Sequence, residues 1–85
     1  MEISRAVEIL GENPWVVEME NCVLGGLQIL VKYQSDLDKE ICFEHDLIYV
    51  GHFDKFVESM AEEDVAEMGK LGWSYDGDNN GWTHF

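Results

Sequence analysis

Basic residues are scarce in this chain: five in 85, standing singly as Arg5, Lys32, Lys39, Lys55 and Lys70. Without a basic patch it has nothing to grip a phosphate backbone with, which argues against direct nucleic-acid binding. Cysteine is nearly absent as well. Cys22 and Cys42, each beside apolar neighbours, are too few for a disulfide framework and fit reduced, buried thiols. Neither these thiols nor Ser4, Ser35, Ser59 and Ser74 has a His or Lys at a recognisable motif spacing, so no activated nucleophile is legible and no enzyme is expected. No Gly-rich phosphate loop is present, no cofactor is implied, and no window approaches the ~18 apolar residues of a membrane span. The start, Met1-Glu2-Ile3-Ser4-Arg5, lacks the basic residues and apolar run of a secretory signal, which predicts a cytoplasmic protein.

Carboxylates and apolar side chains are abundant instead. Eighteen acidic residues leave a formal net charge of -13, yet 46% of the chain is hydrophobic, with three Trp, three Tyr and four Phe. A disordered acidic tail would not carry that core-forming content. Residues 1–85 therefore predict a single folded domain with one core, stable by roughly 4 to 13 kcal/mol. A domain so acidic is repelled by nucleic acid and anionic membranes, and attracted over ~10 Å to basic protein surfaces and cations.

The spacing of Ile3, Ala6, Val7 and Leu10 predicts a first helix closed by Gly11. Asn13-Pro14 breaks it, and Trp15, Val16 and Val17 could open a strand. Residues 22–34 fit two templates. Val23, Leu24, Leu27, Leu30 and Val31 make a helical stripe, whereas Leu27, Ile29, Val31 and Tyr33 alternate as in a strand. Gly25-Gly26 would cost about 2 kcal/mol inside a helix and suits a hairpin turn, so a strand over 27–33 is favoured. Ile41–Phe43 and Leu47–Val50 predict two strands or one bent strand. Phe53, Phe56, Val57 and Met60 fit a helix. Ser59 with Glu62 has the spacing of a capping box ahead of a further helix through Val65, Met68 and Leu71, with Lys70 in its last turn and Gly72 as its stop. Trp73–Tyr75 and Trp82–Phe85 flank Asp76-Gly77-Asp78-Asn79-Asn80-Gly81 and predict a C-terminal hairpin. The expected fold class is α+β, with two to three helices packed on a short antiparallel sheet.

Two clusters invite a chemical interpretation. Asp76, Asp78 and Asn80, with Gly81, match the first half of a calcium loop, but the bidentate ligand of position 12 would fall beyond Phe85. A turn demanding Asp, Asn and Gly explains the same residues, so no metal is expected and weak calcium binding is the alternative. Glu44-His45-Asp46 with His52 offers imidazoles and carboxylates, but neighbours on a strand point to opposite faces and cannot converge on one ion. A charged edge strand is the simpler account.

The charge itself is unevenly placed: residues 1–35 carry -3 and residues 36–85 carry -10. Asp36, Asp38 and Glu40, together with Asp54, Glu58, Glu62, Glu63, Asp64 and Glu67, crowd a loop, the capped helix and its approach. Like charges this close oppose folding by a few tenths of a kcal/mol per pair. A solubilising coat needs a net charge of only about 2 to 8. These nine residues are the candidate partner-binding surface, and carboxylates along one face can imitate phosphates for a basic groove. A homo-oligomer with a solubilising acidic surface is a further alternative, because the aromatic content would also serve an interface.

Three stretches, Glu44-His45-Asp46-Leu47-Ile48-Tyr49-Val50-Gly51, Leu71-Gly72-Trp73-Ser74-Tyr75-Asp76 and Trp82-Thr83-His84-Phe85, resemble small acidic uncharacterised accessory proteins of phages and prophages. The resemblance covers about half the chain and assigns no site. It implies a phage-type inhibitor of the anti-defence or anti-CRISPR kind, acting in the host cytoplasm on a basic, nucleic-acid-binding protein.

Overall fold

Helix α4, Glu62–Lys70, carries Val65, Met68 and Gly69 on one buried stripe, and two of the other helices pack along it. The computed structural model describes residues 1–16, 22–37, 41–44 and 47–84. Among these the chain order is α1 (Ile3–Glu12), α2 (Cys22–Val31), β1 (Ile41–Glu44), β2 (Leu47–Gly51), α3 (Phe53–Ser59), α4, β3 (Ser74–Asp76) and β4 (Gly81–His84). The four strands form an antiparallel sheet in the order β1-β2-β4-β3, so the expected α+β class holds, with four helices among the described residues. The C-terminal hairpin is β3–β4, and Glu44 opposite Leu47 makes β1 and β2 two strands rather than one bent one.

The core lies between sheet and helices. Val50 and Trp82 stand opposite each other on β2 and β4, and Phe53, Phe56 and Val57 of α3, Ala6 and Ile9 of α1, Leu30 of α2, and Val65 and Met68 of α4 close over them. The Phe53 ring packs on Trp82 and Tyr75, with centroids 4.6 and 4.3 Å apart. On the outer face the Tyr49 ring covers the Gly51–Gly81 pair, and its hydroxyl donates to the Asn79 carbonyl.

Residues 27–33 are the main correction: α2 is a helix that runs through Gly25 and Gly26 and leaves Leu24 and Val31 exposed. The glycines are there for contact, not for a turn. A Cβ on Gly26 would lie 2.5 Å from Cε2 of Trp73, and one on Gly25 would lie 3.3 Å from Leu71. The Trp73 indole N–H, seated against this bare backbone, donates to the Cys22 carbonyl at 3.1 Å. Helix propensity lost at the two glycines, about 1 kcal/mol each, is offset by a close approach that no local pattern reveals.

Smaller corrections concern the helix ends. Helix α1 does not stop at Gly11 but runs to Glu12, and the Asn13 side chain donates to the Ile9 carbonyl at 2.9 Å. Val7 lies outside its buried stripe, 41% exposed. Pro14–Val16 form no strand, and Val17 lies outside the described residues. Ser59 ends α3 instead of capping α4, because Met60 and Ala61 are extended and Ala61 is the N-cap. The far end of α4 follows the sequence signals. Gly72 is left-handed (φ 88°), and the amides of Gly72 and Trp73 donate to the carbonyls of Gly69 and Met68, the double bond of a Schellman stop. Neither cysteine is in a disulfide, but Cys42 is exposed rather than buried, and Cys22 only half-buried.

Candidate functional site

A helix with Val65, Met68 and Gly69 turned inward must present Glu63 and Glu67, with Lys70, on its opposite side. Glu62 lies at the seam with α1. There Arg5 donates through Nη2 to Glu62 Oε1 at 2.9 Å and through Nε to Oε2 at 3.4 Å, while its Nη1 pairs with Glu8. The shared guanidinium holds one carboxylate from α1 beside one from α4 on the surface; the Arg5 bond keeps Glu62 below its ordinary value, and the arginine is raised in turn. Exposed ion pairs of this sort contribute about 0 to 1 kcal/mol, so they organise the surface more than they stabilise it. Glu12 follows Glu8 by one turn and is exposed. Among the described residues no ion pair reaches Glu12, Glu58, Glu63 or Glu67.

The acidic face therefore spans α1 and α4, and Glu8 and Glu12 belong to it although the charge count of residues 1–35 drew attention away from them. Their i, i+4 spacing on the polar side of α1 was the available signal. Glu58 is exposed on α3 and Asp36 is exposed after α2. Asp38 and Glu40, like His45 and Asp46, lie outside the described residues.

Two expected members of the face serve the fold instead. Asp64 is only 21% exposed, accepts a bond from the Tyr33 hydroxyl and pairs with Lys32 Nζ at 3.1 Å. The same hydroxyl accepts the Ala61 N–H at 3.3 Å, taking the place of the absent capping side chain and fastening the chain after α2 to the head of α4. Asp54 is engaged by Asn80, whose Nδ2 donates to its Oδ1 at 2.8 Å. In return, the Asn80 carbonyl and Oδ1 accept the amides of Phe53 and Asp54 at 2.8 and 3.1 Å. A left-handed Asn80 (φ 52°) in the hairpin loop thus caps α3 from across the molecule.

That use of Asn80 bears on the calcium alternative. Asp76 Oδ1 accepts the amides of Asp78 and Asn79, and Oδ2 accepts Asn79 Nδ2 at 2.8 Å, an Asx turn. Asp76 is thus engaged within its own loop, and Asn80 with the head of α3. Among the described residues no three His, Cys, Asp or Glu side chains group to hold a metal.

Hydrogen bonds set the acid behaviour of these carboxylates. The Tyr33 hydroxyl, with help from Lys32, holds Asp64 low and is itself raised; Asn80 lowers Asp54, and Asn79 lowers Asp76. Lowered folded-state values stabilise the fold above the ordinary carboxylate range of about 3.9 to 4.3, and that contribution is lost as pH falls through them. Tyr33→Phe is expected to lower stability by about 1 to 2 kcal/mol at pH 7. Its deficit relative to wild type should shrink as pH falls below the ordinary carboxylate range and through the lowered Asp64 value, because the tyrosine no longer favours the ionised form once Asp64 is protonated. Urea midpoints at pH 7 and 3 measure this, and an equal deficit at both would rule the linkage out. The general self-repulsion is common to both chains and cancels in the difference.

No family model matches this chain, and neither the curated proteins nor the solved structures contain a match.

Proposed function

We propose that this chain is a non-enzymatic binding protein whose carboxylate face occupies a basic, nucleic-acid-binding surface of another protein, in the manner of a phage-type inhibitor. One observation carries the proposal: Glu12, Glu58 and Glu63 are exposed, Glu67 is half-buried, and none of the four has an ion pair among the described residues, while Arg5 is already shared by Glu8 and Glu62. Stability gains nothing from crowding them there. A partner supplying Lys and Arg would gain fast, salt-sensitive association. The resemblance to phage accessory proteins supports the same direction and suggests a host target, of which an anti-CRISPR interaction is one form.

The test is capture from a host lysate at low salt with elution in salt steps, repeated with the triple variant Glu58→Gln, Glu63→Gln, Glu67→Gln. A basic, nucleic-acid-binding protein should be retained and released as salt rises. The variant should bind it about 10- to 100-fold more weakly, if each lost charge contributes about 0.5 to 1 kcal/mol. Recovery of no basic protein, or retention indifferent to salt and to the three substitutions, would sink the proposal.

A further inference from the structure

Between the second half of α1, the turn at 13–15 and the start of β3 lies an apolar groove of about 430 Å³, lined among others by Val7, Leu10, Gly11, Trp15, Trp73 and Tyr75. Its volume falls in the range of about 300 to 1,000 Å³ typical of ligand clefts. Val7 is 41% exposed and Trp15 46%, so two of the six large hydrophobic residues left exposed among the described residues line this groove, and a third, Val16, follows Trp15 in the chain. The Trp15 ring is not loose. It lies over the bare backbone of Gly72, edge-on to buried His84 with centroids 5.2 Å apart, and the Val16 amide donates to the Lys70 carbonyl at 3.0 Å. A rigid, half-exposed indole beside a cleft has the character of a binding hot spot.

The banks say what would enter. Glu12, exposed and without an ion pair among the described residues, follows the groove-lining Gly11, Glu8, shared with Arg5, follows Val7, and Lys70 follows Gly69 on the adjoining turn. A second copy of the chain would bring another -13 against the first, which opposes it as the occupant. We infer that the groove receives a Lys- or Arg-rich segment of a partner protein through one large apolar side chain, the basic residues meeting the carboxylates on the banks. The inference rests on the proposed acidic binding function and names the form of its partner: a basic segment with an apolar anchor, where charge sets approach and the anchor sets residence.

Gly11 supplies a clean probe, since a Cβ there meets nothing within 4 Å. Gly11→Gln should fill the groove while favouring α1, so its melting temperature should not fall. Two labelled Lys-rich peptides, identical except for a central Leu or Ala, are titrated by fluorescence anisotropy at low salt. The Leu peptide is expected to bind wild type about tenfold more tightly than the Ala peptide. Gly11→Gln should erase that difference and leave binding of the Ala peptide unchanged. Equal affinity of the two peptides for wild type, or a difference that survives Gly11→Gln, overturns the groove while leaving the acidic-surface proposal standing. Binding of neither peptide overturns both. Concentration-dependent self-association in sedimentation that Gly11→Gln abolishes would also overturn the inference, by making a second copy the occupant.

Discussion

Gly26→Ala is expected to destabilise the protein by about 3 kcal/mol, although alanine is the better helix former. The new Cβ would stand 2.5 Å from Cε2 and 2.7 Å from Cδ1 of Trp73. The indole has no room to yield: it is 2% exposed, edge-on to His84 with centroids 5.3 Å apart, and bonded to the Cys22 carbonyl. Overpacking costs about 1 to 3 kcal/mol, and an indole N–H pushed off its acceptor costs about 1 to 3 more. The helix-propensity gain of about 1 kcal/mol does not offset these. Gly11→Ala is the control, the same substitution in a helix with open space beside it; it should stabilise by about 0.5 to 1 kcal/mol. Urea denaturation of the two variants beside wild type decides the matter. Stabilisation by both would mean that Trp73 does not require the bare backbone at 26.

Truncating Trp82 should have the larger effect. Its side chain is fully buried, opposite Val50 and Tyr75 on the neighbouring strands and packed on Phe53. Trp82→Ala is expected to cost about 3 to 5 kcal/mol, enough to leave a domain at the low end of the 4 to 13 kcal/mol range largely unfolded at 25 °C. Trp82→Phe should be far milder, because the Trp82 Nε1 is buried without an acceptor among the described residues. Losing that unmet donor recovers about 1 to 3 kcal/mol of desolvation cost and offsets part of the lost volume. Trp73→Phe gives up a made hydrogen bond instead, so Trp73→Phe should be the costlier of the two. Equal urea midpoints for the two Phe variants would contradict the distinction.

The candidate site was legible only in part, for a physical reason. That Glu62 and Glu63 are exposed, and that Glu67 lies on the side of α4 away from Val65 and Met68, follows from spacing on one helix, a local property. That Asp64 does not join them depends on Tyr33, 31 residues away, and on Lys32. That Glu8 does join them depends on Arg5 bridging two helices 57 residues apart in sequence. Counting charges by segment hid this, since α1 belongs to the less acidic part of the chain yet packs beside α4. The groove is equally illegible from spacing, because Val7 shares the helical stripe of Ile3, Ala6 and Leu10, whereas α1 buries Ala6 and Ile9 and leaves Val7 exposed.

What the sequence determined by itself was whatever a few adjacent residues can enforce. Gly72 behind Lys70 ends α4, because a left-handed residue and a favourable dipole partner suffice there. Asp76 through Gly81 turn the last hairpin with their own side-chain bonds, and the excess of carboxylates over bases sets the sign of the chain's net charge. The tertiary structure alone decided that 22–31 is a helix, because only Trp73 lying against Gly26 makes two glycines worth their cost there. It alone turned a loop asparagine into the cap of α3 and a helix aspartate into a tie to Tyr33. These outcomes rest on contacts across 26 to 51 residues of chain, and periodicity cannot carry information over that distance.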